Sequence, residues 1–178
     1  VMLGYGSHIY RRVVERRVYD NGGTGSTCTS RMTVSKPEDA AGGNLGYVTV
    51  EQKDAAGTRL SKELHYYHGS ARQSFDQDAL SYAKWKDGKE WKTEVFASNG
   101  TTELRRVEHT WQQPIAGSTW PLTQPETSDL AKANDPQITQ SVTTLSDTNQ
   151  VAKQTFVYDK YGNKTDVYEY AFGSGAAG

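Results

Sequence analysis

A single cysteine, Cys28, stands among the 178 residues, so no disulfide can close within the chain and cysteine usage points to no redox compartment. Set among Thr and Ser beside a glycine-rich stretch, Cys28 reads as a small strand residue. No apolar run approaches the ~20 residues that a membrane-spanning helix needs, so membrane insertion is not expected. The opening "VMLGYGSHIY" has neither the basic start nor the apolar stretch of a secretion leader. With its abrupt ends, it gives the expectation of a segment from a longer polypeptide. Charge of one sign is also missing: 20 basic residues face 21 acidic ones, a net charge of -1. That balance supplies no electrostatic reason for a nucleic-acid or anionic-membrane partner. The pairs Arg11-Arg12, Arg16-Arg17 and Arg105-Arg106 sit in alternating segments and read as solvated strand faces. Leu, Ile and Met are scarce, hydrophobic content is 35% and mean hydropathy is -0.76. Val, Thr, Tyr and Trp stand in their place, a bias that suits half-buried pleated surfaces rather than helical cores.

Catalytic signatures are missing as well. There is no Gly-x-Ser-x-Gly and no local Ser-His-Asp pattern. The glycine-rich "GTGS" at 23–26 and "GSG" at 173–175 lack the Lys-Ser/Thr of a phosphate loop and read as turns. His65 and His68 are three apart on a strand, which aims them at opposite faces and keeps them from gripping one metal. The carboxylates Glu38-Asp39, Asp76 and Asp78 come without a full calcium loop or any other constellation. The chain is read as non-catalytic, with no cofactor and no metal.

What is present is hairpin after hairpin. "HIYRRVVERRVYD" at 8–20 and "CTSRMTVS" at 28–35 flank a glycine-rich turn. "LGYVTVEQK" and "RLSKELHYYH" flank "DAAGT". Leu60, Leu64 and Tyr66 share one parity there, while Ser61, Glu63 and His65 share the other, the period of a strand. Residues 69–88 are less regular and suggest a short helical turn. "KEWKTEVFA" and "TELRRVEHTWQQ" flank Asn99-Gly100, the strongest short hairpin signal. Trp91, Thr93 and Val95 are expected on one face. Four of the five prolines fall in 114–136, an irregular connection. "QITQSVTTLSDTN", "QVAKQTFVYD" and "KTDVYEYAF" complete the set. The expected turns lie at 20–23, 54–57, 98–101 and 159–163. The expected fold is all-β: an antiparallel hairpin meander forming a curved sheet or part of a β-shell. It divides into a hairpin region at 1–113, a Pro-rich connection at 114–136, a second hairpin region at 137–172 and a flexible Gly/Ala tail at 173–178.

The stretch "FVYDKYGNKTDVYEY" carries four tyrosines around Asp-x-x-Gly-Asn. Phe156 and Tyr158 share one parity, and Tyr168, Tyr170 and Phe172 share another. If the turn pairs the two arms, aromatics are expected to face aromatics across the ladder, each pair contributing ~0.2–1 kcal/mol. Asp159 is placed to bind the backbone N–H groups ahead of it, and Gly162 supplies the conformation other residues avoid.

This stretch resembles the YD repeat of the RHS (rearrangement hotspot) family: Tyr-Asp, two variable residues, Gly-Asn, then a Thr-rich returning arm. Tyr158, Asp159, Gly162, Asn163, Thr165 and Tyr170 fit that pattern. "VYDNGG", with Tyr19, Asp20 and Gly22, is similar to a degenerate copy. "HYYHGSARQSF" and "WKDGKEWKTEVFASNGTTELRRVEHTWQQ" resemble stretches between YD repeats of large bacterial RHS-type proteins. The best match spans residues 158–170. The resemblance implies a structural role, a β-hairpin ribbon in an extracellular or cell-surface shell, in some relatives one that encloses a toxin. The self-cleaving Asp- and Pro-rich core motif of the family is missing, so no autoproteolysis is implied.

Two further expectations follow from the residues. Strand edges without partners invite another chain, so the outermost strands are expected to contact other copies or segments of a parent chain by β-augmentation. The alternative is a carbohydrate-binding β-sandwich. Trp85 and Trp91, beside the charged turn in "KWKDGKEW", are then the residues placed to stack a glycan.

Overall fold

The computed structural model describes residues 13–19, 28–40, 45–69, 86, 88–112, 136–159 and 161–174. Among them ten strands form one antiparallel sheet and there is no α-helix. The strands are β1 (Glu15–Val18), β2 (Ser30–Val34), β3 (Glu38–Asp39), β4 (Leu45–Asp54), β5 (Arg59–His68), β6 (Glu90–Phe96), β7 (Glu103–Gln112), β8 (Gln137–Leu145), β9 (Gln150–Tyr158) and β10 (Lys164–Ser174). Their order in space is their order in sequence, with one refinement. β2 and β3 lie end to end along the same flank of β4, Val34 opposite Val50 and Glu38 opposite Tyr47. This is the all-β meander that the alternating pattern predicts. β7 pairs with β8 across the Pro-rich connection, so the regions on either side of it share a continuous ladder.

The sheet is thinly covered. Among the described residues the one buried apolar side chain is Cys28, 4% exposed, and the buried charged one is Glu94, 9% exposed. None falls below 2%. A sheet that packs a face against a second layer buries a row of alternate residues. Here both faces are half-exposed, and cohesion comes from the backbone ladder and from side chains that touch across neighbouring strands.

Tight turns set the registers. Asp54-Ala-Ala-Gly57-Thr58 joins β4 to β5, and Asp159 to Asn163 joins β9 to β10. Ala97–Thr102 joins β6 to β7. Ser146–Asn149 joins β8 to β9 without glycine, because Asn149 takes the left-handed conformation itself at φ 52°. The expected turn at 20–23 lies outside the described residues, as does nearly all of the expected helical turn in 69–88.

Candidate functional site

The Tyr-Asp-x-x-Gly-Asn element is a closed hairpin turn. Asp159 N–H donates to the Asn163 carbonyl at 2.9 Å, and Gly162 N–H donates to the Asp159 carbonyl at 3.1 Å. The Asp159 carboxylate accepts from the N–H groups of Tyr161 at 2.8 Å and Asn163 at 2.9 Å, and from the Asn163 amide at 2.9 Å. These donors, the Asn163 amide first, hold its pKa below the usual carboxylate range. Gly162 sits at φ 86°, where a Cβ is disfavoured. Tyr158 donates its hydroxyl to the Ile138 carbonyl at 2.7 Å, and Thr165 donates to the Val157 carbonyl at 3.3 Å. Apart from the Asn163 amide on the Asp159 carboxylate, these bonds each engage a backbone group.

The β4–β5 turn repeats it. Asp54 N–H reaches the Thr58 carbonyl at 3.0 Å, Gly57 N–H reaches the Asp54 carbonyl at 3.1 Å, and Thr58 N–H reaches the Asp54 carboxylate at 2.8 Å. Gly57 sits at φ 90°. The shared Asp-x-x-Gly spacing relates the two turns. Of the degenerate copy at Tyr19, Asp20 and Gly22, only Tyr19 is among the described residues.

The pairing of the last hairpin differs from expectation. Phe156 stands opposite Val167, Tyr168 opposite Thr155, and Tyr170 opposite Lys153. The ladder slips by one residue between Lys164 and Asp166. A one-residue slip exchanges the faces of everything beyond it, which puts Phe156 and Tyr158 on the opposite face from Tyr168 and Tyr170. Aromatics therefore meet cations instead of aromatics. The Lys153 ammonium lies 4.5 Å from the Tyr170 ring centre, and that of Lys164 lies 4.0 Å from Phe156.

Two side-chain clusters occupy the middle of the sheet. On one face Glu94 receives the Lys92 ammonium at 2.7 Å and the Tyr66 hydroxyl at 2.9 Å, with Arg106 Nε 3.7 Å away. Burial pushes the Glu94 carboxyl up, but Lys92 and Tyr66 outweigh it and hold the group below the carboxylate norm. Rings run beside it: Tyr47 to Tyr66 at 5.6 Å, Tyr66 to Trp91 at 5.9 Å, and Trp91 to His68 at 6.1 Å. Trp91 joins this row because it is a bulge residue. Tyr66 pairs with Lys92 and Tyr67 with Glu90, which leaves Trp91 unmatched. It thus parts from Thr93 and Val95, contrary to the parity expectation. Its ring is tilted by 55° against Tyr66 and 35° against His68, with Lys92 5.2 Å above it, so these neighbours offer no coplanar platform for a sugar. Trp85 lies outside the described residues.

On the other face His65 lies between two carboxylates, Nδ1 2.7 Å from Glu90 and Nε2 3.2 Å from Glu63. Carboxylates beside both ring nitrogens favour the protonated imidazole. Glu90 is the main cause of its raised pKa, with burial opposing. Thr93 also donates to Glu90. As expected, His65 and His68 serve opposite faces. Among the described residues no group of three or more His, Cys, Asp or Glu is placed to hold a metal.

The face of His65 also carries a shallow trough of about 450 Å³ lined by Trp111, Ile138, Phe156 and Tyr158 with His109, Gln137, Ser141 and Gln154. Trp111 is pinned by its indole N–H to the Glu90 carbonyl at 2.7 Å. The Nδ1 of His109 and Nε2 of Gln137 are buried there without hydrogen-bond partners.

Among the described residues no helix is long and apolar enough to cross a membrane. No family model, curated protein or solved structure matches the chain.

Proposed function

We propose that the chain is a structural building block, a non-catalytic β-sheet segment of a bacterial cell-surface or secreted shell or filament of the RHS/YD-repeat kind. It associates through its exposed strand edges with other copies or with segments of a parent chain. The observation that carries this reading is the pair of Asp-x-x-Gly turns, at 54–58 and 159–163, closing hairpins of one sheet on which Cys28 is the one buried apolar side chain among the described residues. All six residues of the best YD match act there on backbone or on cross-strand neighbours, which is the work of a wall. Among the described residues β1 and β10 end the strand order, and a strand edge without a partner is a template for another strand.

Sedimentation velocity across a concentration series, with electron microscopy of the same samples, tests the reading. Growth into dimers or longer ribbons is expected. A concentration-independent monomer whose terminal strands resist hydrogen exchange contradicts it.

A second reading, saccharide binding, draws on the trough at Trp111, where two buried nitrogens lack partners beside pinned aromatic rings. Titration with neutral oligosaccharides followed by Trp fluorescence decides it. A saturable change abolished by Trp111→Ala supports binding, and no change removes it.

A further inference from the structure

We infer that β10 is the adhesive edge and that its occupant is β10 of a second copy, antiparallel, about a two-fold axis at Tyr168. The inference rests on the edge-association reading above and goes further by naming the strand, the partner and the register.

Three observations select this strand. β10 spans eleven residues, against four for β1 at the other end of the order. Val167, Tyr168, Tyr170 and Phe172 are all between 41% and 53% exposed along it. No proline interrupts it. The β1 edge is the poorer candidate, since Glu15, Arg16 and Arg17 leave Val18 as its one apolar residue.

The register follows from bulges and charge. The β9–β10 ladder slips between Lys164 and Asp166 and again between Tyr170 and Gly173, so Asp166–Tyr170 is a regular stretch of five residues. Tyr168 is its midpoint. Two copies related by a two-fold axis there set Tyr168 opposite its own copy, Val167 opposite Glu169 and Asp166 opposite Tyr170, and all five positions pair. No carboxylate then faces a carboxylate, and each Tyr170 hydroxyl meets an Asp166. An axis at Asp166 or Glu169 would oppose like charges, which destabilises a ladder. An axis at Val167 or Tyr170 would push part of the regular stretch into a bulge. A symmetric pairing of this kind closes on itself as a dimer.

Disulfide trapping tests it in the full chain, with the unsubstituted chain as the control for Cys28. Under mild oxidation Tyr168→Cys is expected to form a covalent dimer roughly tenfold faster than Val167→Cys or Glu169→Cys, since only the former places two Cβ atoms within disulfide reach. Val167→Cys mixed with Glu169→Cys is expected to form a heterodimer. Sedimentation velocity on the reduced unsubstituted chain is expected to show a dimer that Tyr168→Lys weakens. A dimer trapped through Arg16→Cys in β1 and not through Tyr168→Cys overturns this inference and leaves edge association standing. A monomer at every concentration, with no trapping at any position, overturns both.

Discussion

The guanidinium of Arg59 occupies the space where Gly100 would carry a Cβ. That atom would lie 2.6 Å from Arg59 Cζ. Arg59 reaches across from the start of β5 to hold the β6–β7 turn by the carbonyls of Ser98 at 2.9 Å and Asn99 at 2.7 Å, and it also pairs with Glu51 of β4 at 2.9 Å. One side chain thus ties β4 and β5 to the β6–β7 turn. Gly100 is favoured by its φ of 75°, and a Cβ there would also displace the Arg59 guanidinium from its carbonyl partners.

Gly100→Ala is therefore expected to cost about 1–3 kcal/mol, the range for strained backbone positions. Gly57→Ala is the comparison, because Gly57 has φ 90° but open space around it. It is expected to cost about 1 kcal/mol. Urea unfolding measures both. In an Arg59→Ala background the two costs are expected to converge, which a double-mutant cycle reads directly.

The paired Asp turns make a second prediction. Asp159→Ala and Asp54→Ala each remove the carboxylate that gathers the N–H groups of the turn. Each is expected to lower stability and to raise amide exchange at Asn163 or Thr58 respectively, while leaving the other turn unchanged. Because the folded pKa of Asp159 is depressed, its contribution is present above the unfolded value and fades as pH falls through the folded one.

The two histidines on one face predict a stability maximum. His65 is raised, by Glu90 first, so its contribution is complete below the unfolded value of about 6.5 and is lost as pH rises through the folded value. His109 is lowered by burial, so its contribution is present above that same value and is lost as pH falls. Thermal midpoints are expected to peak near pH ~6.5. His65→Gln is expected to flatten the alkaline side and His109→Gln the acid side.

Deleting Thr165, the unmatched residue of the slip, is expected to make the ladder regular while leaving Tyr168 opposite Thr155 and Tyr170 opposite Lys153, on the face away from Phe156 and Tyr158. Cross-strand nuclear Overhauser contacts of Tyr168 with Thr155 and of Tyr170 with Lys153 are expected to persist in the deletion variant. New contacts of Tyr168 with Phe156 would show that the whole strand had changed register instead.

The alternation of β5 and the Asp-Gly and Asn-Gly turns made the meander readable, because period and turn chemistry are local. The bulges were not. A single inserted residue at Trp91 or Thr165 leaves the composition unchanged, yet it reverses every face beyond it, and both aromatic expectations failed there. The Arg59 clamp was equally invisible, since it joins residues about 40 apart in sequence through backbone carbonyls that carry no side-chain signature. The Asp54 turn was legible and its kinship to the Asp159 turn was present in the spacing.

Hydrogen exchange of β10 amides as a function of chain concentration bears most directly on the claim that this sheet is a wall completed at its edges. The account predicts that the amides of Val167 and Glu169 exchange freely in dilute solution, become protected as concentration rises, and lose that protection in Tyr168→Lys. Protection that is already complete in a dilute monomer and indifferent to concentration would contradict it.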